Sequence, residues 1–235
     1  MSFLKKAKQK VIEKFGNGVT EYEPEYQDML GRSKDIKKHT EKIVEQIQAF
    51  AQPDPELQSK PGLTEGQNRG GSLGAAMGEF SQTVNSWKGV ETPNNVVPLL
   101  RSAGDAFTKV GEQELQFLSA VSEHCLAPIN RFLDVFAQPF EQEVKVLEEK
   151  RSEMDGLKAR SKKSPNDGNL LTEFKKSEKV FYEQKAKVKQ MAENMESELP
   201  VLEECVKALV TAFQQYSQNG QHAMQHFQDT FQEED

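Results

Sequence analysis

The sequence predicts an all-α protein: an elongated antiparallel three-helix coiled coil with kinked long helices, preceded by an N-terminal amphipathic helix. Apolar residues recur every seven positions along the last third of the chain, which is typical of a coiled coil. A helical pattern also runs from about residue 96 to 163 without a clear stop. The 235 residues are 29% charged and 36% hydrophobic, a composition that suits thin bundles in which every helix keeps a wet face.

Residues 2–15 predict a short amphipathic helix that ends at the glycine-rich turn 16–18. Its apolar face consists of Phe3, Leu4, Ala7, Val11 and Phe15, bordered by Ile12, and its basic flank consists of Lys5, Lys6, Lys8, Lys10 and Lys14. Such a helix buries its apolar face at a lipid interface, while its lysines are attracted to anionic headgroups. We therefore expect residues 1–16 to insert into membranes; docking on the protein's own core is the alternative.

The next segment predicts two helices separated by an irregular insertion. A helix over about 22–50 ends before the two prolines of the sequence Gln52-Pro53-Asp54-Pro55. Residues 53–73 are rich in Gly, Pro and Ser and predict an insertion or appendage, after which helix resumes over about 73–88. Gly70, Gly71, Gly74 and Gly78 are interpreted as part of a flexible linker, because a phosphate-binding loop would need a preceding strand and a following Lys.

Two long helices follow, joined by the clearest turn in the chain. The first runs over about 96–163 and contains Pro128 and Pro139, which we interpret as kinks. Residues 164–169 form the predicted tip loop, and the last helix covers about 170–231 with a further kink at Pro200. Its heptad column is Phe174, Phe181, Val188, Met195, Leu202, Leu209 and Tyr216, and a second column is Ala192, Leu199, Val206 and Phe213. Two columns predict contact with more than one neighbour, near the middle of a dimer.

Positive charge is concentrated in two places on an acidic chain. The net charge is −7, whereas residues 1–16 sum to +4 (five Lys, one Glu) and residues 150–189 to +6 (twelve Lys/Arg, six Asp/Glu), which leaves −17 elsewhere. Nucleic-acid binders are usually basic overall, so we expect no nucleic-acid partner. The predicted basic tip comprises Lys150, Arg151, Lys158, Arg160, Lys162, Lys163, Lys175, Lys176 and Lys179. Local basic patches suit contact with an anionic lipid leaflet.

Catalysis and metal binding are not expected, because no nucleophile, base and ligand groups converge in the pattern. His222 and His226 have the spacing of metal ligands, but no nearby Glu or Cys completes a set. Cys125 and Cys205 fall on apolar helical faces and are interpreted as reduced core residues. The sequence therefore predicts no enzyme, cofactor, metal or small-molecule substrate, and a lipid acyltransferase is a weak alternative.

Several segments together resemble the amphipathic-helix type of the Bin/amphiphysin/Rvs (BAR) domain, closest to the endophilins. They are the basic N-terminal helix, residues 52–55, residues 117–132 with their proline, the basic stretch 158–163 and the segment from Ala208 to Tyr216. The resemblance implies a domain over 17–235 that forms a crescent-shaped homodimer built on a six-helix bundle. Endophilins also carry a C-terminal adaptor for proline-rich partners, which the 235 residues of this sequence do not include, so the resemblance leaves such recruitment open.

The resemblance predicts the function and the residues that carry it. We expect a cytoplasmic, peripheral membrane protein that senses or generates curvature in endocytosis or in Golgi or endosomal trafficking. Its expected partners are anionic phospholipid membranes and a second copy, with heterodimers of related BAR proteins conceivable. The expected dimer and core packing residues are Ile43, Ile47, Phe50, Leu199, Leu202, Val206, Leu209, Phe213 and Tyr216. A coiled-coil scaffold that binds proteins and not lipid is the alternative.

Overall fold

The structure is a computed structural model that describes residues 18–52, 68–87 and 95–232. Its helices are α1 (Pro24–Ala51), α2 (Arg69–Asn85), α3 (Val96–Val121), α4 (Ala127–Phe132), α5 (Gln138–Lys163), α6 (Gly168–Ser197) and α7 (Pro200–Gln232), with π-helical turns at Ser122–Leu126 and Leu133–Ala137. No strand occurs in these ranges, so the predicted all-α class with long, distorted helices is confirmed. The predicted N-terminal helix at 2–15 and residues 53–67 of the insertion lie outside the described residues.

The two π-helical turns interrupt what is otherwise one continuous helix from α3 to α5. Each turn lies just before a proline, the first before Pro128 and the second before Pro139. Proline has no N–H group, and its ring clashes with the carbonyl four residues earlier, so the ladder widens locally. The backbone N–H of Ala127 accordingly donates to the carbonyl of Ser122, five residues back. The predicted distortions at both prolines are thus confirmed, without an end to the helix.

The chain divides into two compact units, and the first consists of residues 18–42 with Arg131–Pro200. It contains the antiparallel hairpin of α5 and α6, and the first part of α1 packs beside both helices. The heptad residues Phe181, Val188 and Met195 of α6 are at most 1% exposed, which confirms that this column faces the core. The last helix of the sequence prediction is divided in two, because a turn at residues 198–199 precedes Pro200.

The second unit consists of the described residues within Ile43–Asn130 and Val201–Asp235. Here α2 packs very closely on α3, and the contact is made by glycines. A Cβ on Gly70 would lie 2.6 Å from the backbone nitrogen of Gly111, and one on Gly74 would lie 2.7 Å from the carbonyl oxygen of Gly104. Asn68 caps α2 by accepting from Gly71 N (2.6 Å) and donates to the Gly111 carbonyl (2.8 Å).

The interpretation of the glycines as a flexible linker is wrong, and the helix starts at Arg69 and not at Leu73. Glycine is unfavourable in an isolated helix, which is why the sequence pattern indicated a loop. In the folded chain the missing Cβ allows two backbones to approach each other closely, and this packing outweighs the local preference. The described part of the predicted 53–73 insertion is therefore helical from Arg69 onward.

Two glycine-to-alanine variants test this packing. Gly111→Ala is expected to destabilise the fold by about 2 kcal/mol, because the new methyl group meets backbone atoms of α2. Gly31→Ala, in α1, has no atom within 4 Å of the new methyl group and should stabilise by up to about 1 kcal/mol. Thermal unfolding followed by circular dichroism compares the two. Equal melting temperatures would contradict the close contact between α2 and α3.

Candidate functional site

The predicted tip is the turn that joins α5 to α6, and local hydrogen bonds hold its shape. The backbone N–H of Ser164 donates to the Arg160 carbonyl, and that of Asp167 donates to the Ser164 carbonyl. The side chain of Asp167 caps α6 by accepting from the backbone nitrogens of Asn169 and Leu170, both at 3.1 Å. The turn therefore presents the neighbouring side chains from two rigid helix ends.

The predicted basic residues fall into two groups by their contacts. Lys150 pairs with Glu153 (3.3 Å), Arg151 with Glu148 and Lys179 with Glu183 (3.7 Å). The other members form no ion pair within the described part of the chain, and they are Lys158, Arg160, Lys162, Lys163, Lys175 and Lys176. We call these six the tip cations; all but the half-buried Lys158 are exposed. Their charge is available to an external anionic surface.

Arg151, which the sequence assigned to the tip, packs against the start of α1. Its guanidinium lies 4.8 Å from the centre of the Tyr22 ring, and the Tyr22 hydroxyl donates to Glu148 (3.1 Å). Burial, followed by the Glu148 charge, raises the pKa of Tyr22, so the phenol stays neutral at physiological pH. Arg151 is therefore held by Tyr22 and Glu148, and we do not count it among the tip cations.

A carboxylate on α5 anchors the segment that leads from the predicted N-terminal helix into α1. The buried Asp155 accepts from the backbone nitrogen of Thr20 (2.9 Å) and from its hydroxyl (2.6 Å). Asp155 is eight residues before Lys163, or about 12 Å along the helix. The chain therefore emerges from the described structure close to the tip cations. Sequence reasoning missed this anchor, because nothing in the pattern links positions 135 residues apart.

An apolar surface is exposed on the second unit, on α1 and α7. Its members, which we call the apolar face, are Ile43 (38% exposed), Phe50 (53%), Val206 (49%), Val210 (59%) and Phe213 (44%). Phe50 and Phe213 surround the buried Phe117, with ring centres 6.2 and 6.1 Å from it. Val210 was not among the predicted packing residues, although its spacing of three and four from Phe213 and Val206 places it on their side of the helix.

The remaining predicted packing residues have different environments. Ile47 is buried at 6% exposure, whereas Leu199, Leu202, Leu209 and Tyr216 are half-buried. The sequence pattern placed all of these in one class because it reports which side of a helix is apolar and not what covers that side.

The two cysteines are free and buried, in agreement with their predicted place in the core. Cys125 is fully buried and Cys205 is 2% exposed. Burial raises the pKa of the Cys125 thiol to about 11 and also raises that of Cys205. A neutral, covered thiol is a poor nucleophile.

Neither a membrane-spanning helix nor a metal-binding cluster occurs in the described ranges 18–52, 68–87 and 95–232. None of the helices there is long and apolar enough to cross a bilayer. In the same ranges, no group of three or more His, Cys, Asp and Glu residues is arranged to hold a metal ion.

Long antiparallel helices that end in a basic turn, together with an exposed apolar face, define a helical-bundle protein with two exposed surfaces that other molecules can contact. The chain belongs to the BAR domain family, whose model matches residues 2–233. Membrane binding, dimerisation and the sensing or generation of curvature are general properties of this family.

Several curated proteins are similar in sequence. Endophilin-B2 of Gallus gallus is 28% identical over 168 residues, and that of Homo sapiens is 28% identical over 167 residues. These alignments cover 69% of this chain and 41% and 42% of the relatives. Endophilin-B1 of Gallus gallus is 24% identical over 168 residues, which is 69% of this chain and 45% of that protein. The aligned region spans less than half the length of these relatives. The predicted endophilin-like BAR membership is confirmed.

A solved structure, the N-terminal I-BAR domain (1–259) of D. discoideum IBARa, matches with a TM-score of 0.40 at 13% identity. The match covers 85% of this chain and 80% of that chain. It is a distant similarity.

Proposed function

We propose that this chain binds anionic membranes as a homodimer and senses or generates their curvature in vesicle trafficking. The observation that carries the proposal is the group of tip cations, which have no ion pair within the described residues although the chain is acidic overall. Cations near an anionic leaflet contribute about 1 kcal/mol each. The binding partner of the tip is therefore an anionic phospholipid surface.

In this proposal, residues 1–16 insert as a wedge into the leaflet that faces the protein. Their sequence pattern supports insertion, and the anchor of Thr20 on Asp155 supports delivery of this segment near the tip cations. Attraction and insertion are then separate contributions of two parts of the chain. Whether the partner copy is identical or a related BAR protein does not alter this division.

The apolar face supports the dimer. Its side chains are 38–59% exposed, and their burial against a second copy would remove this apolar area from water. A twofold dimer uses the same surface on both partners, so one apolar face on each copy is enough to form it. Two tips on one particle would also raise the apparent affinity for a membrane through multivalency.

Vesicle binding by the full chain and by a chain lacking residues 1–16 tests the proposal. Both proteins are mixed with phosphatidylserine-rich and with phosphatidylcholine vesicles, sedimented and imaged by electron microscopy. We expect both chains to sediment with the phosphatidylserine vesicles and only the full chain to form abundant tubules. If neither chain sediments with anionic vesicles at moderate salt, the membrane proposal fails, and the coiled-coil scaffold becomes the better reading.

A further inference from the structure

Exposed apolar side chains lie among the basic residues of α6. Leu171 is 43% exposed in the first turn of α6, and Tyr182 is 54% exposed three turns later. Single exposed apolar residues are common on protein surfaces and carry no meaning by themselves. The pattern around these two residues is what distinguishes them.

Leu171 and Tyr182 lie on one side of the helix together with lysines. In an α-helix, residues four apart are neighbours on the surface, so Leu171 is next to Lys175, which in turn is next to Lys179. Tyr182 is eleven residues from Leu171, close to three full turns, and therefore returns to the same side. The stripe thus has an apolar side chain at each end and two lysines and the half-buried Glu178 between them; its members are Leu171, Lys175, Glu178, Lys179 and Tyr182.

Other residues of α6 form the side of the helix that faces the core. Phe181 and Val188, at 1% and 0% exposure, face the interior of the unit. Leu171 falls outside their column, so the core does not explain an apolar side chain at this position. The side chain of Asp167 caps α6 and fixes the backbone just before Leu171. The Leu171 side chain therefore extends from a rigid helix start.

We propose that Leu171 is a membrane anchor at the tip, inserted among the lipid headgroups while the neighbouring lysines contact phosphates, and that Tyr182 lies at the interface further along α6. The proposed partner of this stripe is an anionic phospholipid leaflet. Lys175 and Lys176 have no ion pair within the described residues, so their charge is available to anionic headgroups. A leaflet offers such headgroups together with an adjoining apolar layer for Leu171. Amphipathic tyrosine rings favour this boundary. The inference rests on the proposed membrane function and deepens it.

Insertion makes a prediction that pure charge attraction does not. In a Trp87→Phe background, which removes the only tryptophan, one chain carries Leu171→Trp and a second carries Glu173→Trp. Position 173 is exposed but lies about 200° around the helix from position 171. With phosphatidylserine vesicles that contain acyl-chain-brominated lipid, we expect quenching and a blue shift at position 171 and little change at position 173.

A second pair of variants measures the contribution to affinity. Leu171→Ser is expected to weaken vesicle binding about fivefold. The remaining affinity should depend more strongly on salt concentration, because the apolar contribution, which salt does not screen, is lost. Leu73→Ser removes a leucine of nearly equal exposure (42%) from α2 and serves as the matched control. Its affinity should equal that of the unmodified chain.

The outcomes separate the two proposals. If the tryptophan chains sediment with the vesicles but position 171 is not quenched, the anchor is overturned and the membrane function stands. Equal affinities of the two serine variants would overturn the anchor in the same way. If no chain sediments with anionic vesicles, the membrane function fails, and the anchor fails with it.

Discussion

Simultaneous replacement of Lys162, Lys163, Lys175 and Lys176 by glutamate is expected to lower the affinity for phosphatidylserine-rich vesicles by at least about a thousandfold. Four lost attractions of about 1 kcal/mol each correspond to this factor, and four new carboxylates add repulsion. All four side chains are exposed and have no ion pair within the described residues, so the fold should be unaffected. Vesicle sedimentation at several salt concentrations measures the change.

A control with the same change in net charge shows whether position matters. Lys34, Lys38, Lys42 and Lys109 are exposed lysines on α1 and α3, they are not on the two helix ends that flank the tip turn, and they too have no ion pair within the described residues. Their joint replacement by glutamate should weaken binding by less than about tenfold, because charges beyond a screening length of about 10 Å act weakly. Similar losses in both variants would mean that overall charge, and not the tip, governs binding. Circular dichroism of both variants confirms that they are folded.

The second large effect is expected at the apolar face. Val206→Glu combined with Val210→Glu should convert the proposed dimer to a monomer of 26.6 kDa, raising the dimer dissociation constant by at least about a thousandfold. Each carboxylate would be buried without a partner in the interface, at a cost of several kcal/mol. The two valines are 49% and 59% exposed within one chain, so the chain itself tolerates the change. Sedimentation equilibrium reads the mass directly.

Thr211→Glu combined with Gln215→Glu is the matched control, because these positions have the same spacing of four and lie about 100° or more around the helix from Val206, Val210 and Phe213. It adds the same two charges to the same helix at exposed positions outside the apolar face, and it should leave the dimer intact. A monomeric unmodified chain, or an equal effect of both pairs, would contradict the assignment of this face. The monomer should also bind vesicles more weakly, because it presents one tip and not two.

Local features of the sequence predicted the turn and its charge. Proline, asparagine, aspartate and glycine at 165–168 leave little choice but a turn, and basic residues flank it within a few positions. Short-range chemistry of this kind is largely independent of the rest of the fold. The same holds for Pro128 and Pro139, since a missing N–H group distorts any helix that contains it.

The glycines of α2 mark the opposite case. Gly70 and Gly74 lower helix propensity, so local reasoning indicated a linker, yet a close partner in α3 makes them helical. That partner lies about 30–40 residues further along the chain, beyond the reach of any local pattern. The Thr20–Asp155 anchor was missed for the same reason, because it joins two positions that are distant in sequence.

The sequence by itself determined the all-α class, the tip turn with its charge and the sides on which apolar residues lie, because periodicity and turn chemistry are properties of neighbouring residues. Only the tertiary structure decided which apolar sides are covered. Val188 and Val206 both belong to the predicted heptad columns, but one is fully buried and the other is 49% exposed. Burial depends on what packs against a helix, and residues far away in the chain supply that partner.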